Sequence, residues 1–161
     1  MLSVLIPSYN DAKNLPIALA SALAVKSVSE IIVIDDNSID DTKELIEHVK
    51  IENNQIKYIK NKKNLGSGLS FIKALENSSN PYIIMLNSDD FFIPQAIDNL
   101  LEFLKNNKLD VAYGKMAIKK ESGIHNFQHP GYKKNSYIDD RNELKDLLIY
   151  DMYTPSFGSI I

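Results

Sequence analysis

The stretch Tyr82-Ile83-Ile84-Met85-Leu86-Asn87-Ser88-Asp89-Asp90 indicates the fold of this chain most directly. Its first five residues form a short apolar run, which is typical of a buried β-strand. An acidic cluster follows at once. Adjacent carboxylates at the end of a buried strand repel each other and lose solvation, and a hard divalent cation with oxygen ligands relieves both costs. The alternative is a solvated turn in which an aspartate caps the next helix.

The same alternation of apolar runs and helical patterns extends over most of the chain. Strands are predicted at 3–6, 31–34, 56–59, 82–86 and 111–118, and helices at 11–23, 41–49, 65–77 and 94–106. This order predicts an α/β fold with a mainly parallel sheet and helices on both faces. Polar residues at 7–10, 35–38 and 87–90 follow three of the strands. Because ligands of such sheets bind beyond the carboxyl ends of the strands, we expect these loops to meet.

Composition excludes several classes of protein. The net charge of −3 is spread along the 161 residues, which is not the pattern of a nucleic-acid-binding protein. The absence of cysteine excludes disulfides, zinc–thiolate sites and a cysteine nucleophile. No segment reaches the roughly 18 apolar residues of a membrane span, and the N-terminus lacks the basic region of a signal peptide. We therefore expect a cytoplasmic protein.

The other polar loops have candidate roles of their own. A carboxylate in Asp35-Asp36-Asn37-Ser38 could bind a base or ribose, or residues of this loop could cap the following helix. Tyr9 in Pro7-Ser8-Tyr9-Asn10 could stack on a base, although this is also an ordinary strand-to-helix turn. Asn64-Leu65-Gly66-Ser67-Gly68 places glycines before a helix, where backbone amides can approach a ligand. The helix after it carries apolar residues at helical spacing: Leu69, Ile72 and Leu75.

Taken together and in this order, the motifs resemble those of the family 2 glycosyltransferases, which have the GT-A fold. The resemblance covers about residues 3–117. Four segments carry it: Val4-Leu5-Ile6-Pro7-Ser8-Tyr9-Asn10, Ile34-Asp35-Asp36-Asn37-Ser38-Ile39-Asp40-Asp41-Thr42, Asn64-Leu65-Gly66, and Leu86-Asn87-Ser88-Asp89-Asp90. In the family the second segment usually has glycine at the position of Asn37, and the last contains an Asp-x-Asp motif.

The resemblance implies a role for the first three segments at the nucleotide end of a donor site. Pro7, Ser8, Tyr9 and Asp36 would surround the nucleobase, with the carboxylate of Asp36 accepting a hydrogen bond from a base N–H. Two further residues, Asn64 and Gly66, would also contribute to nucleotide-sugar binding.

The fourth segment would hold the diphosphate and the sugar. By resemblance, Asp89 would bind a Mn²⁺ or Mg²⁺ ion that bridges the diphosphate, and Asp90 would contact the sugar or support the metal site. Ser88 would also line the donor site. Asn87 stands where the family usually has aspartate; its amide can still form hydrogen bonds to ribose or sugar, but it brings no charge.

The resemblance also implies a reaction. A sugar would pass from a nucleoside-diphosphate sugar, with UDP the family-weighted choice, to a hydroxyl of a glycan or lipid-linked acceptor. The enzyme would be metal-dependent and inverting, and would serve bacterial cell-surface polysaccharide or glycan synthesis. An inverting enzyme needs a carboxylate that takes the proton of the acceptor. In the family this base lies beyond the position of residue 161, so we expect this chain to bind donor without a complete acceptor site.

The domain prediction follows from the same resemblance. Residues 1–118 would form the donor-binding region, and 119–161 the start of a truncated acceptor-side region, within one structural domain. After residue 119 the sequence predicts a loop or irregular hairpin at 121–135, a helix at 142–150 and a strand at 154–161. Attachment to a membrane surface, peripheral to the inner membrane, is expected only through a part beyond residue 161.

Two other functions remain open at this stage. One is a catalytically incomplete nucleotide-binding module, because Asn87 replaces an acid and the acceptor side is truncated. The other is a receiver-like signalling domain, which would carry an acid pair after the first strand and a phosphoacceptor aspartate after the third. Here Pro7-Ser8-Tyr9-Asn10 follows the first strand and Ile59-Lys60-Asn61 ends the third, which argues against a receiver.

Overall fold

A computed structural model describes residues 1–114, 116–120, 122–127 and 159–160. The chain divides into two compact units, Met1–Gly114 with Gly158–Ile161, and Lys115–Phe157. The first unit contains β1 (Leu2–Ser8), α1 (Leu15–Leu23), β2 (Val28–Asp35), α2 (Thr42–Glu52), β3 (Ile56–Lys60), α3 (Ser67–Glu76), β4 (Tyr82–Met85), α4 (Pro94–Asn106) and β5 (Ala112–Tyr113). The second contains β6 (Met116–Lys120) and β7 (Gly123–Phe127), and β8 (Ser159–Ile160) belongs to the first. The assignment of 1–118 to donor binding within a single domain stays a prediction.

The first unit is built on a six-stranded sheet with the order β3-β2-β1-β4-β8-β5. β1 pairs in parallel with β2 and β4, and β2 pairs in parallel with β3, whereas β8 is antiparallel to both β4 and β5. The predicted α/β fold with a mainly parallel sheet is therefore confirmed. Since the chain moves outward from β1 to β3 and then returns to β4 on the other side of β1, the strand order reverses between β1 and β4.

One face of the sheet carries three helices. Successive strand residues point to opposite faces, so Val4 and Ile6 share a face. They belong to one buried cluster with Leu19 of α1, Ile46 of α2 and Leu101 of α4. Each of these fully buried side chains contributes roughly 1.5–3 kcal/mol to folding. The alternating strand pattern thus places most of the core on this side.

The opposite face is covered by α3. Leu5 and Ile32 form a second buried cluster with Ala74, and Phe71 packs against it. The prediction of helices on both faces is confirmed.

The apolar stripe of α3 does not face the sheet. The spacing of Leu69, Ile72 and Leu75 correctly indicates a helix, but these side chains are 55%, 49% and 42% exposed. The buried residues of α3 are Ser70 and Ala74, one helical turn apart. Their small side chains let the helix approach the sheet closely, so the periodicity identified the element but not its buried side.

Most predicted boundaries are close to the observed ones, and α4 matches its prediction of 94–106. α1 begins at Leu15 rather than at residue 11, because Asp11 and Asn14 form a turn in which Asn14 Nδ2 donates to Asp11 Oδ1 at 2.7 Å. α2 begins at Thr42, whose backbone N–H donates to Asp40 Oδ1 at 3.2 Å. The Asp40 side chain therefore accepts a hydrogen bond from a free amide of this helix.

The predicted fifth strand at 111–118 is wrong in extent. The structure has two separate strands there, β5 and β6, with Gly114 between them, and glycine is unfavourable inside a strand. β6 pairs antiparallel with β7, so a hairpin spans 116–127 and begins before the loop or irregular hairpin predicted at 121–135, of which 128–135 lies outside the described residues. β8 lies within the predicted strand at 154–161. The predicted helix at 142–150 lies outside the described residues. Every helix in the described part of the chain falls short of the length and hydropathy that a membrane crossing requires.

Candidate functional site

A cleft of about 410 Å³ lies beyond the carboxyl ends of β1, β2 and β4. Predicted site residues from all three loops line it: Pro7, Ser8, Tyr9, Asp36, Asn87, Ser88 and Asp89. Five further residues line the cleft without a predicted role: Asn10, Asp11, Asn14, Ser67 and Ser70. Asn64, Gly66 and Asp90 are not among the lining residues. The prediction that the three loops meet is therefore confirmed.

The cleft opens where β1 and β4 separate. The pairing of these strands ends at Leu5 and Met85, whereas β1 stays paired with β2 through Ser8 and Asp35. Pro7 and Ser8 therefore extend past the end of β4. This is the switch point of the strand order, where open α/β sheets bind ligands.

Ser8 presents a polar group that the protein leaves unsatisfied. Its side chain is buried, at 3% exposure, and its Oγ has no hydrogen-bond partner among the described residues. A buried hydroxyl without a partner costs roughly 1–3 kcal/mol, so a ligand that bonds to it would recover this free energy. Tyr9, the next residue, is 50% exposed at the mouth of the cleft, where its ring is free to cover a planar ligand.

Hydrogen bonds fasten the loop after β1 to the loop after β2. The backbone N–H of Asn10 donates to Ser38 Oγ at 2.9 Å, and Asn10 Oδ1 accepts from the N–H of Ile39 at 2.9 Å. The N–H of Ala12 donates to Asp40 Oδ2 at 2.9 Å. Asn10 has a φ of 51°, a left-handed conformation in which asparagine is enriched. Two walls of the cleft are therefore held together by the side chains of Asn10, Ser38 and Asp40.

Asn37 explains one departure from the family motif. Its φ is 68°, in the left-handed region that glycine adopts without steric cost. The family usually has glycine here, and asparagine is among the residues that tolerate this conformation best. The replacement thus preserves the sharp turn after β2.

Asp36 is the most heavily bonded carboxylate of the cleft. Its Oδ1 accepts hydrogen bonds from Asn61 Nδ2 and from the N–H of Leu65, both at 2.8 Å. Its Oδ2 accepts from the N–H of Gly66 at 2.7 Å. Burial alone would raise the pKa of Asp36, but these donors together with the Ser70 hydroxyl hold the pKa below its usual value. Asp36 therefore stays anionic and ties the start of α3 to the cleft.

Neither Gly66 nor Asn64 lines the cleft. Gly66 is connected to the cleft through Asp36, whereas Asn64 remains outside it. Gly66 has a φ of 85°, which favours glycine, and this conformation directs its N–H to the carboxylate. Asn64 is exposed, and its Oδ1 accepts from the N–H of Gly66 at 3.0 Å. The position after the turn, Ser67, is the one that lines the cleft.

The neighbouring acid, Asp35, has a different environment. It is fully buried and accepts hydrogen bonds from the N–H of Ser38 at 2.7 Å and from the Tyr58 hydroxyl at 2.6 Å. Lys60 Nζ lies 3.4 Å from its Oδ2. Burial opposes ionisation, but these hydrogen bonds and the lysine hold the pKa of Asp35 below its usual value. Asp35 therefore stabilises the turn, and Asp36 is the acid on the cleft wall.

The loop after β4 supplies the other end of the cleft. Ser88 is buried, Asp89 is exposed at the cleft, and Asp90 is half-buried behind it. Burial and the charge of Asp89 raise the pKa of Asp90, while a hydrogen bond from the Asn87 side chain opposes this rise. Asn87 thus supports an adjacent carboxylate, whereas an aspartate at this position would add a third negative charge.

The side chains at this end could hold a metal ion together with a bound substrate, but they do not form a complete metal site by themselves. Among the described residues, no group of three or more histidine or acidic side chains is arranged to hold a metal ion. Mg²⁺ commonly binds through one or two carboxylates and takes its remaining ligands from water and substrate phosphates. Asp89, Asn87 and Ser88 line the same cleft, and all three carry side-chain oxygens, the ligand type that Mg²⁺ prefers.

Comparisons with known proteins agree with this geometry. The sequence profile of the family described as Glycosyl transferase family 2 matches residues 3–158. The chain is 32% identical over 123 residues to the UDP-Glc:alpha-D-GlcNAc-diphosphoundecaprenol beta-1,3-glucosyltransferase WfaP of Escherichia coli. The aligned region covers 75% of this chain and 48% of WfaP. The chain spans about half the length of the curated relatives it matches.

Solved structures show the same fold. The chain is similar to S. aureus TarS in complex with UDP-GlcNAc, with a TM-score of 0.62 and 26% identity, covering 68% of this chain and 32% of that one. Mannosyltransferase PcManGT from Pyrobaculum calidifontis, in complex with GDP-Man and Mn²⁺, gives a TM-score of 0.64 at 15% identity, covering 71% and 35%. Since the family profile extends over nearly all of its length, the chain belongs to glycosyltransferase family 2.

Proposed function

We propose that this chain is the donor-binding part of a glycosyltransferase that transfers a sugar from a nucleoside-diphosphate sugar to an acceptor hydroxyl. The observation that carries the proposal is the convergence of the loops after β1, β2 and β4 on one cleft at the switch point of the sheet. The membership of the family supports it. The receiver-like alternative is abandoned, because the family profile covers residues 3–158.

The nucleobase is proposed to lie against Tyr9 and Ser8. The half-exposed ring of Tyr9 offers a stacking surface, and the unpartnered Oγ of Ser8 offers a buried hydrogen bond. Asp36 lies on the same wall with most of its lone pairs already engaged. A carboxylate accepts about four hydrogen bonds. A base N–H would therefore donate to a carboxylate whose position the protein donors already hold.

The diphosphate is proposed to lie at the loop after β4, with Asp89 as the residue that holds Mn²⁺ or Mg²⁺. The ion would neutralise charge on the leaving diphosphate. Asp89 is exposed at the cleft and can reach a ligand without losing a partner, while Asn87 keeps Asp90 hydrogen-bonded behind it. PcManGT, which has the same fold, has been solved with Mn²⁺ and GDP-Man, so a protein of this fold binds a nucleoside-diphosphate sugar together with a divalent cation.

UDP-linked sugars are the proposed donors, and lipid-linked or glycan hydroxyls the proposed acceptors, as in polysaccharide synthesis. The name of WfaP specifies UDP-Glc and a diphosphoundecaprenol acceptor, and TarS has been crystallised with UDP-GlcNAc. An inverting reaction needs a carboxylate base for the acceptor proton. We place that base, and any contact with a membrane surface, in a part of the protein beyond residue 161.

Titration calorimetry with UDP tests the proposal. We expect UDP to bind the protein, and Mn²⁺ to strengthen the binding by about tenfold, since a bridging cation adds contacts to both the protein and the diphosphate. Asp89→Asn should abolish the gain from Mn²⁺ and leave metal-free binding largely unchanged. Asp41→Asn is the matched control, because Asp41 is an exposed acid outside the cleft. Absence of UDP binding, or an equal Mn²⁺ effect in the Asp89→Asn variant, would refute the proposed donor and metal site.

The second candidate, a catalytically incomplete nucleotide-binding module, is favoured by the coverage of only about half of the relatives' length. Under this reading the 161-residue chain binds UDP but gives no sugar transfer from UDP-glucose or UDP-GlcNAc to a polyprenyl-diphosphate acceptor. Normal turnover by this chain alone would show that its acceptor site and base lie within residues 1–161.

A further inference from the structure

A chain of hydrogen bonds links the cleft to Lys73 of α3. Lys73 Nζ donates to Asn61 Oδ1 at 2.6 Å, and Asn61 Nδ2 donates to Asp36 Oδ1 at 2.8 Å. Asn61 Nδ2 also lies 3.0 Å from Ser70 Oγ. Asn61 is 3% exposed, so these contacts are shielded from water. Four charged or polar side chains, Asp36 after β2, Asn61 after β3, and Ser70 and Lys73 of α3, therefore form one network around the buried Asn61.

The chemistry of the two end groups fixes the direction of the amide between them. An ammonium only donates hydrogen bonds and a carboxylate only accepts them, so Lys73 must face Asn61 Oδ1 and Asp36 must face Asn61 Nδ2. If the amide turned over, both contacts would become repulsive. Lys73 thus enforces the one orientation of Asn61 in which Asp36 is held.

Asp36 depends on its hydrogen bond from Asn61 because its charge has no direct counter-ion in the described part of the chain. Lys73 is connected to Asp36 only through Asn61. The other donors to Asp36 include the N–H groups of Leu65 and Gly66, which lead into α3 and to Ser67 on the cleft wall. Movement of the Asp36 carboxylate would therefore move the start of α3 as well.

We propose that Lys73 is a positioning residue for the donor site: through Asn61 it fixes the carboxylate of Asp36, and through Asp36 it fixes the turn at Leu65 and Gly66 that leads to Ser67 on the cleft wall. This role rests on the proposed nucleotide binding for its functional effect. It assigns to Lys73 no contact with the nucleotide itself.

Amide hydrogen exchange, followed by NMR on the 161-residue protein, tests the structural step without any ligand. In Lys73→Met we expect protection of the Leu65 and Gly66 amides to fall at least tenfold, because their common acceptor is no longer held. Lys73→Arg should restore most of the protection. Lys43→Met removes the same charge from an exposed lysine of α2 and should leave both amides unchanged. Unchanged protection in Lys73→Met would overturn the proposal.

Calorimetry with UDP then tests the functional step. We expect Lys73→Met to weaken UDP binding about tenfold, the size expected for one lost charge-assisted contact. Asn61→Ala should weaken it by a similar factor, and the double variant should be no weaker than Asn61→Ala alone, because both changes break one path. Additive losses would show that Lys73 attracts the diphosphate directly and would overturn the positioning role.

The exchange and binding results separate two kinds of failure. If the unaltered protein does not bind UDP, the proposed donor is wrong, while the exchange rates of Leu65 and Gly66 still decide whether Lys73 fixes the turn.

Discussion

The two ends of β2 carry buried carboxylates that are satisfied in different ways. Near its start, Glu30 accepts from Lys57 Nζ and Ser3 Oγ, both at 2.5 Å, and from the N–H and Oγ of Ser79, both at 2.9 Å. Beyond its end, Asp36 is held by neutral donors only. Both carboxylates are ionised, but only Glu30 has a cation beside it that balances its charge.

The difference separates a structural carboxylate from one placed for a ligand. Glu30 ties together β1, β3 and the loop before β4, and the charge of Lys57 balances it within the protein. Asp36 lies on the wall of a cleft beside the unpartnered hydroxyl of Ser8. A charge that is ordered but not neutralised can act on a bound molecule, whereas a paired one acts mainly on stability.

The largest expected effect concerns Glu30. Its pKa is lowered to about 2 because hydrogen bonds from Lys57, Ser3 and Ser79 outweigh the effect of burial, which would raise it. Against an ordinary value of 4.5, this corresponds to about 3 kcal/mol at neutral pH. We expect Glu30→Gln to lower the free energy of urea unfolding by about this amount. UDP affinity of the folded protein should not change.

Glu47→Gln serves as the control for this change. Glu47 is exposed and lies 3.7 Å from Lys50 in an ion pair on α2, and such pairs are worth at most about 1 kcal/mol. A loss as small as that in Glu30→Gln would contradict the structural role of Glu30.

The pH dependence of stability sharpens the comparison. Because the folded pKa of Glu30 is depressed, its contribution is present above pH 4.5 and is lost as the pH falls toward about 2. We expect the free energy of unfolding to fall more steeply between pH 4.5 and 2 in the unaltered protein than in Glu30→Gln. Asp36, whose pKa is also lowered, should contribute with the same sign in both. Parallel curves from urea titrations across this range would contradict the assignment.

A smaller effect, on binding, is expected at Asp36. Asp36→Asn would present an N–H₂ group to donors, so one of the amides of Leu65 and Gly66 would lose its acceptor. We expect UDP to bind about tenfold more weakly by calorimetry, with a stability loss of about 1–3 kcal/mol. Asp41→Asn, the same substitution at an exposed position, should change neither quantity. Full UDP affinity in a folded Asp36→Asn variant would remove Asp36 from the site.

The smallest effect is expected at Asn37, in the turn directly after Asp36. Asn37 has a φ of 68°, where alanine costs roughly 1 kcal/mol and glycine costs little. We expect Asn37→Ala to lower unfolding free energy by about 1 kcal/mol and Asn37→Gly to be nearly neutral. Equal stabilities of the two variants in urea would show that backbone conformation does not limit this turn.

The sequence predicted the fold well because strands, helix spacing and polar strand ends are local patterns. The parallel sheet followed from alternation, and the convergence of Ser8, Asp36 and Asp89 followed from the rule that strand ends meet at one edge. The apolar side of α3 was misleading, because the periodicity of Leu69 and Ile72 marks a stripe without saying which side meets the sheet. That choice depends on how closely small residues allow the helix to approach.

The hydrogen bonds that connect Lys73, Asn61 and Asp36 could not be predicted from the sequence, and the reason is physical. The contact between Lys73 and Asn61 spans 12 residues, and that between Asn61 and Asp36 spans 25. The sequence pattern identifies Asn61 only as a residue at the end of the third predicted strand, and the structure places it directly after β3. No periodicity or motif reports such contacts, which exist only once the strands are in register. Asn10 did carry a signal, since asparagine after a strand is enriched at positive φ.

NMR mapping of UDP with Mg²⁺ on the ¹⁵N-labelled protein tests the central claim most directly. If three strand-end loops surround one nucleotide, the amide signals of Tyr9, Asp36 and Ser88 should shift together along one binding curve, while those of Glu30 and its neighbours stay in place. Shifts confined to a single loop, or centred on Glu30 at the other end of β2, would contradict the account.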